Sequence, residues 1–440
     1  MVTETIMRTE IALSAMDKPL AAFYLLLGSC IFGLSIFVSR FVGNLIILVS
    51  YVVFVVSAVV TTAPVHDTRN RRLPDIPFRY EPVILLSATV LWGVFFLGLI
   101  LNPSPSSVLR TGAFIVLSAI TLFVIPAVVT REQAFTAIGI VGAVCVLFSL
   151  PSALLGEFSV LSWTIDRVSA TYVFILDTHV RSPTFIFDQQ NYFRVLVAMG
   201  TVAAAGVATQ TRSSRMAIVA ALNLIGVYLT LGRAARLAVV VAAVLVFAYY
   251  LAGRTALAGV TIAGTGATVI AFAIAFGVLP GPTEPLRAVL GDRPGYWVAS
   301  FRTFAARPFF GWGLLDTGTA IGNRYSGPFT GVHNSYLRLF VIGGIVGGVT
   351  YLVLCGSALV AALRRIRERT PLALTTFCLV VMALFFQLFD GATIFGTNLS
   401  SVLWALIIGY AQSPLLDTEP LRSIGRYYKA HEPPSLDCET

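Results

Sequence analysis

Long apolar runs separated by short polar turns fill most of this chain. The runs centre near Gly28, Tyr51, Leu91, Ala119, Ala143, Val202, Leu224, Val244, Val269, Val349, Met382 and Leu406. Each is about 16 to 23 residues, enough or nearly enough to cross a hydrocarbon core about 30 Å thick at about 1.5 Å per residue. The pattern predicts an all-α polytopic membrane protein of about 12 transmembrane helices. The stretch from Met216 to Ala252 is too long for one span and holds Gly232-Arg233-Ala234-Ala235-Arg236 at its middle, so it predicts two short helices meeting in a tight turn. Two long polar stretches interrupt the rhythm. The chain therefore divides into helices one to five (1–155), a first long loop (156–190), helices six to nine (191–279), a large loop (280–333), helices ten to twelve (334–413) and a tail (414–440) containing Pro414, Pro420, Pro433 and Pro434.

Composition agrees: 57% of the residues are hydrophobic and 12% charged, against about 25% charged in a soluble domain. The formal charge of +9 could suggest a nucleic-acid partner, but the basic residues sit in short clusters between apolar runs, which topology explains better. With the N-terminus in the cytoplasm, the inside turns carry Arg69, Arg71, Arg72 and Arg79, then Arg131, then Arg212 and Arg215, then Arg254, then Arg364, Arg365, Arg367 and Arg369, and the tail adds Arg422, Arg426 and Lys429. Both termini are then cytoplasmic, both long loops and the Arg233 turn lie outside, and the first span is retained rather than cleaved as a signal peptide. Cys30, Cys145, Cys355 and Cys378 lie within apolar runs and Cys438 in the tail, a spacing that supports packing rather than a disulfide framework or a metal site.

The outer side is where chemistry concentrates. The long loops and adjoining helix ends hold Arg167, Arg181, Arg194, Arg287, Arg293, Arg302, Arg307 and Arg324. A guanidinium stays charged and offers a rigid donor fork, so outward-facing arginines in this number predict a phosphate or diphosphate ligand, the alternative being contact with lipid headgroups. Of the four histidines, His66 and His431 read as solvated cytoplasmic residues and His179 as a site residue or an ordinary exposed one. His333 stands where the tenth span begins, beside free helix N–H groups that favour an anion and keep an imidazole neutral. An ordinary pKa near 6.5 makes it a workable general base. Gly344, eleven residues on, is expected on the same helix face, and Gly343, Gly344, Gly347 and Gly348 allow close approach of another helix. Asn334 reads better as a helix cap than as a contact to a sugar hydroxyl, while Trp297, Trp312, Tyr325 and Tyr336 fit sugar stacking and an interfacial belt equally. No Asp-x-Asp pair and no Walker lysine motif occurs, so neither metal-dependent transfer from a nucleotide sugar nor ATP-driven transport is supported, and no cofactor is expected.

His333-Asn334, nine residues, Gly344, two residues and Gly347 resemble the signature of the O-antigen ligase family, membrane glycosyltransferases related to the O-antigen polymerases. Asp292-Arg293 with Trp297, and Arg307-Pro308 leading to Gly311-Trp312-Gly313, resemble that family's large external loop. Arg181 with Phe185 and Gln190-Asn191 is similar to its arginine-to-Pro-Asn segment, with Gln190 in place of proline. Leu231-Gly232-Arg233-Ala234 is similar to its Ser-Arg-Gly turn, with Gly232 and Ala234 in place of serine and glycine. The likeness runs from about residue 181 to 348, the first five spans adding topology alone.

The resemblance implies a glycan delivered on a polyprenyl diphosphate at the extracytoplasmic face of the inner membrane and transferred to a hydroxyl of a lipid, glycan or protein acceptor. Arg233, Arg293 and Arg181 would bind the diphosphate, His333 would take the acceptor proton, and Asn334, Asn191, Trp297 and Arg236 would contact substrate or support the site. The bond energy lies in the glycosyl diphosphate, so neither metal nor ATP is expected. A repeat-unit polymerase needs the same donor and is the alternative. A secondary transporter or flippase for lipid-linked glycans would instead call for intramembrane charges along a pathway and related halves, and neither is evident, with Asp390 and Arg110 near span ends not forming a relay.

Overall fold

The structure is a computed structural model, and it describes residues 2–62, 80–101, 103–155, 158–160, 163–165, 168–173, 178–325 and 331–413. The basic turn from Arg69 to Arg79 and the tail 414–440 lie outside these. In chain order the helices are α1 (Val2–Gly33), α2 (Arg40–Thr62), α3 (Pro82–Leu101), α4 (Pro105–Ala119), α5 (Ile125–Val128), α6 (Arg131–Leu155), α7 (Gln190–Thr211), α8 (Ser214–Leu229), α9 (Arg233–Ala275), α10 (Thr283–Leu290), α11 (Arg293–Ala306), α12 (Gly313–Gly322), α13 (Ser335–Arg365), α14 (Pro371–Phe386) and α15 (Leu399–Gln412). Among the described residues seven helical stretches are long and apolar enough to cross a membrane, and Lys18–Gly33, Ser214–Leu229, Pro371–Phe386 and Leu399–Gln412 are shorter apolar helices. Several helices start on a polar cap, as the sequence favours: Ser104 accepts from Ser107 N–H, Thr370 from Ala373 N–H and Asn398 from Ser401 N–H.

Every residue of α15 is buried, and most of α14 and α7 as well, so these helices form the centre of the bundle. Apolar side chains of α2, α3 and the second half of α9 are exposed instead, as expected of surfaces facing lipid. The four described cysteines are buried and unpaired.

Two helices are broken in ways that shape the outer end. A straight α9 of 43 residues would separate its ends by about 65 Å. Yet Arg233 at its start donates to Val289 O, and Ala275 O at its end accepts from Arg287, both partners lying on α10. The chain therefore folds back on itself, at Ala252-Gly253, where Gly253 has φ +69, a conformation glycine reaches without the cost of a Cβ. The predicted turn between α8 and α9 is present too, closed at Thr230 to Gly232.

The second break is at Gly344, φ +63, inside α13. There the segment Pro308 to Trp312 inserts its backbone: Trp312 N–H donates to Val341 O at 2.9 Å and Ile345 N–H to Pro308 O at 2.6 Å. A Cβ on Gly344 would lie 2.2 Å from Phe309 O, and one on Gly311 2.4 Å from Ile342 O. The expectation that Gly344 shares the face of His333 through three unbroken turns is thus corrected. Gly344 admits the Arg307 to Trp312 segment, while Gly343 and Gly347 meet Val94 of α3.

The two long loops are also more ordered than their polarity suggested. Segment 156–190 contains two antiparallel hairpins, β1 (Phe158–Val160) with β2 (Trp163–Ile165) and β3 (Val168–Val173) with β4 (Thr178–Pro183). Segment 280–333 folds into α10, α11 and α12. At the opposite end of the bundle, Arg131 donates to Glu368 at 2.9 Å and to Thr376, Arg365 donates to the same carboxylate at 2.9 Å, and Arg364 pairs with Glu81 at 3.2 Å. That network joins α6, α13 and α14 and keeps the basic cluster at one end.

Candidate functional site

His333 lies immediately before α13 rather than within it, held at φ +48. Few non-glycine residues adopt that region, and those that do are often fixed by their surroundings at functional sites. The fixing is visible here. Asn334 caps α13 by accepting from Leu337 N–H at 2.9 Å and donates through Nδ2 to Leu388 O at 3.2 Å. Ser335 N–H donates to Gln387 O at 2.9 Å, its hydroxyl bonds Asp390 O at 2.8 Å and also Ala392 O, and Arg338 donates to Gly391 O at 2.7 Å. The strap between α14 and α15 thus runs against the histidine backbone, close enough that a Cβ on Gly391 would lie 3.3 Å from His333 N. From the other side Trp297 Nε1 donates to His333 O at 3.4 Å, and the Tyr296 ring lies 5.8 Å from the imidazole.

Around this point arginines converge from three helices. Arg293 opens α11, donates through Nη1 to Leu290 O at 3.3 Å, and has a buried Nε with no hydrogen-bond partner. Arg233 opens α9 at the exposed surface and donates to Val289 O at 3.4 Å. Arg194, on the first turns of α7, donates through Nε and Nη2 to Thr230 O, both at 3.1 Å, and through Nη1 to Asn191 Oδ1 at 3.4 Å. It thereby ties α7 to the turn before Arg233. A Cβ on Gly232 would lie 2.7 Å from Arg194 Cδ, so a side chain there would push this guanidinium aside. Arg236, almost one turn beyond Arg233, has a buried Nε lacking a partner.

The electrostatics follow from this crowding. Burial, and after it the charge of Arg293, hold the His333 imidazole below its ordinary value of 6.5. The neutral form, able to accept a proton, therefore prevails at neutral pH. Burial also lowers Arg293, with Asp390 opposing and Arg233 reinforcing the shift, though a guanidinium remains charged at physiological pH. Two carboxylates act on Arg293: Asp292, its neighbour in sequence, and, from the strap between α14 and α15, Asp390. Burial raises its pKa, while backbone N–H groups of Ala392 and Gly391 and the charges of Arg338 and Arg293 act against the rise. Its Oδ1 accepts from Ala392 N–H at 3.2 Å and its Oδ2 is buried without a hydrogen-bond partner.

The structure therefore brings together His333, Arg293, Arg233 and Asn334, with Arg236, Asn191 and Trp297 in the surrounding layer. Trp297 is 5% exposed and packs edge-on against Phe272. It supports the histidine carbonyl and offers no open face for sugar stacking. Arg181 pairs with Ala170 in the backbone of the second hairpin, and its side chain lies outside the described residues. Sequence reasoning set aside Asp390, counted Arg194 among the outer arginines without giving it a role of its own, and did not name Arg338. One signal was available: Asp390 is the only acidic residue between Glu368 and Asp417, in an otherwise apolar stretch, where a carboxylate is costly unless used or paired.

Fold and site together define a polytopic helical membrane protein with a cationic, histidine-bearing surface at one end of its bundle. Residues 195–352 match the family described as O-antigen ligase, so this part of the chain is O-antigen ligase-like. The match takes in Arg233, Arg236, Arg293, Trp297, His333 and Asn334, and stops short of Arg194 and Asp390. A search of curated proteins gave no match.

Proposed function

We propose that the protein is a membrane glycosyltransferase that moves a glycan from a polyprenyl diphosphate to an acceptor hydroxyl at the outer face of the cytoplasmic membrane. The observation that carries this reading is the pairing of a neutral His333 with the Arg293 guanidinium, whose Nε is buried and unbonded. A base that must stay neutral beside a cation suits a reaction in which an anion departs next to the site of proton removal.

The acceptor oxygen attacks the anomeric carbon, the bond from that carbon to the diphosphate oxygen breaks with both electrons leaving on oxygen, and the acceptor proton passes to the imidazole of His333. Arg293 and Arg233 face the growing charge on the diphosphate, where pre-set donors lower the barrier most. A single displacement inverts the anomeric centre. The strap that carries Asp390 bonds Ser335 and Arg338 through its backbone carbonyls and so keeps His333 at its position, while the Asp390 carboxylate acts on Arg293 through its charge. The outer-face assignment rests on the opposite end of the bundle, where Arg131, Arg364 and Arg365 gather.

The test is transfer by purified protein in detergent, supplied with a polyprenyl-diphosphate glycan and candidate acceptors in EDTA, with products sized on a gel. One addition to a separate acceptor is the expected result. A ladder of repeats formed without that acceptor would assign the same site to polymerisation, and no product from any of several donors would overturn the reading.

A further inference from the structure

A second cationic surface lies on the outer face of α11. Arg287 of α10, Arg302 of α11, and Arg324 and Tyr325 just beyond α12 line an open cavity of about 480 Å³, within the range of small-ligand sites, about 300–1,000 Å³. Arg293, Arg233 and His333 are not among its lining residues. The floor is the α11 face presenting Gly295, Val298 and Ala299, whereas Tyr296, Trp297 and Ser300 are buried on other faces.

Two of these arginines are pre-oriented. Arg287 is anchored through Nε to Ala275 O at 2.8 Å, and Arg324 through Nη1 to Ala320 O at 2.9 Å with its Cζ 5.0 Å from the centroid of the Trp312 ring. Each anchor uses one nitrogen of a five-donor fork. Glu284, 3.9 Å from Arg287 and 87% exposed, is too weak and too wet a partner to neutralise three guanidiniums.

The cavity also connects to the histidine. Tyr325 lies 4.7 Å from Tyr296 between ring centroids, and Tyr296 lies 5.8 Å from His333. Gly295 makes this possible, since a Cβ there would come within 2.9 Å of Tyr325 Cε2. Resting on the transferase reading above, we infer that this cavity receives an acceptor glycan bearing a carboxylate or phosphate, gripped by Arg287, Arg302 and Arg324 and laid over Tyr325 with its free hydroxyl directed toward His333. Donor and acceptor then approach from different sides of α11, each on its own arginines. A lipid headgroup could offer the same phosphate, and it lacks a sugar ring for Tyr325.

The test is binding, which does not depend on transfer. Full-length protein in nanodiscs of zwitterionic lipid is titrated with glucuronate, glucose 6-phosphate, inorganic phosphate and glucose. Emission of Trp312 is followed, and a Trp312→Phe control identifies its signal. Saturable responses to glucuronate and glucose 6-phosphate are expected, with none to glucose and at least fivefold weaker binding of inorganic phosphate. The double variant Arg302→Gln with Arg324→Gln should weaken glucuronate binding tenfold or more, as should the surface charge reversal Arg302→Glu alone, and Arg293→Gln should leave it within twofold. Equal binding of inorganic phosphate would overturn the glycan assignment. So would loss of the response in nanodiscs containing phosphatidylglycerol, or a response that survives both Arg302 variants and vanishes with Arg293→Gln. If binding behaves as expected while no donor supports transfer, the cavity stands and the transferase reading fails.

Discussion

His333 carries a strained backbone, a lowered pKa and a neighbouring guanidinium together, and each has a measurable consequence. The His333→Ala variant should lose about 10²–10⁴ of the transfer rate, the usual contribution of a positioned general base, while its melting temperature in detergent changes little. The imidazole sits below 6.5 because of burial and Arg293. The rate should therefore stay high as pH falls to 6.5 and decline only below it, as His333 takes up its proton. Removing the cation in Arg293→Gln removes one of the two influences lowering the pKa, so the acid limb of the profile should move to higher pH as the overall rate drops. A profile that keeps its acid limb in place would separate the two residues. Asn334 was legible as a cap because an amide three residues before a helical N–H has that geometry available. Asp390 stood out only as a lone carboxylate in an apolar stretch, and its place beside the site was hidden because it lies on a strap fifty-odd residues away along the chain that folds back on Ser335 and Arg338.

At the scale of elements, hydrophobic period located the helices well. All the apolar centres read from the chain fall on helices, because burial in lipid or core demands the same unbroken apolar stretch that the eye detects. What period does not reveal is where a helix breaks. The kink at Gly344 depends on a loop from another part of the chain supplying Pro308 O and Trp312 N–H to the exposed backbone groups. A glycine-rich run looks alike whether it admits a helix or a loop. The consequence is testable: Gly344→Ala meets Phe309 O at 2.2 Å and needs a positive φ, so it should destabilise the protein by at least the ~1–3 kcal/mol of a strained backbone residue. Gly356→Ala, on the same helix with nothing within 4 Å of its Cβ, should be neutral or slightly stabilising. Thermal unfolding in detergent compares them directly. The order within 280–333 was likewise hidden, because α10, α11 and α12 are short and mixed in polarity and lack a long apolar stripe.

Across the whole molecule, charge divides the bundle. Arg131, Arg365 and Glu368 lock one end, while Arg194, Arg233, Arg236 and Arg293 meet His333 at the other. In a background where Cys438 is replaced by serine, Arg302→Cys in intact cells should react with a membrane-impermeant maleimide and Arg369→Cys should react only after permeabilisation. The reverse pattern would place the site on the cytoplasmic face. Partial burial of the lock makes a second expectation: Glu368→Ala leaves Arg131, 2% exposed, without its carboxylate, and should cost up to the ~3–5 kcal/mol of a broken buried ion pair, read as a lower melting temperature with donor binding intact.

The central claim is that His333 acts as the base for glycan transfer beside an arginine-bound diphosphate. The most direct measurement is single-turnover transfer from a polyprenyl-diphosphate glycan by wild-type and His333→Gln protein, with donor binding measured separately in the same nanodiscs. The account predicts donor affinity within twofold and a transfer step slowed about 100-fold or more. Transfer by His333→Gln at the wild-type rate would contradict it.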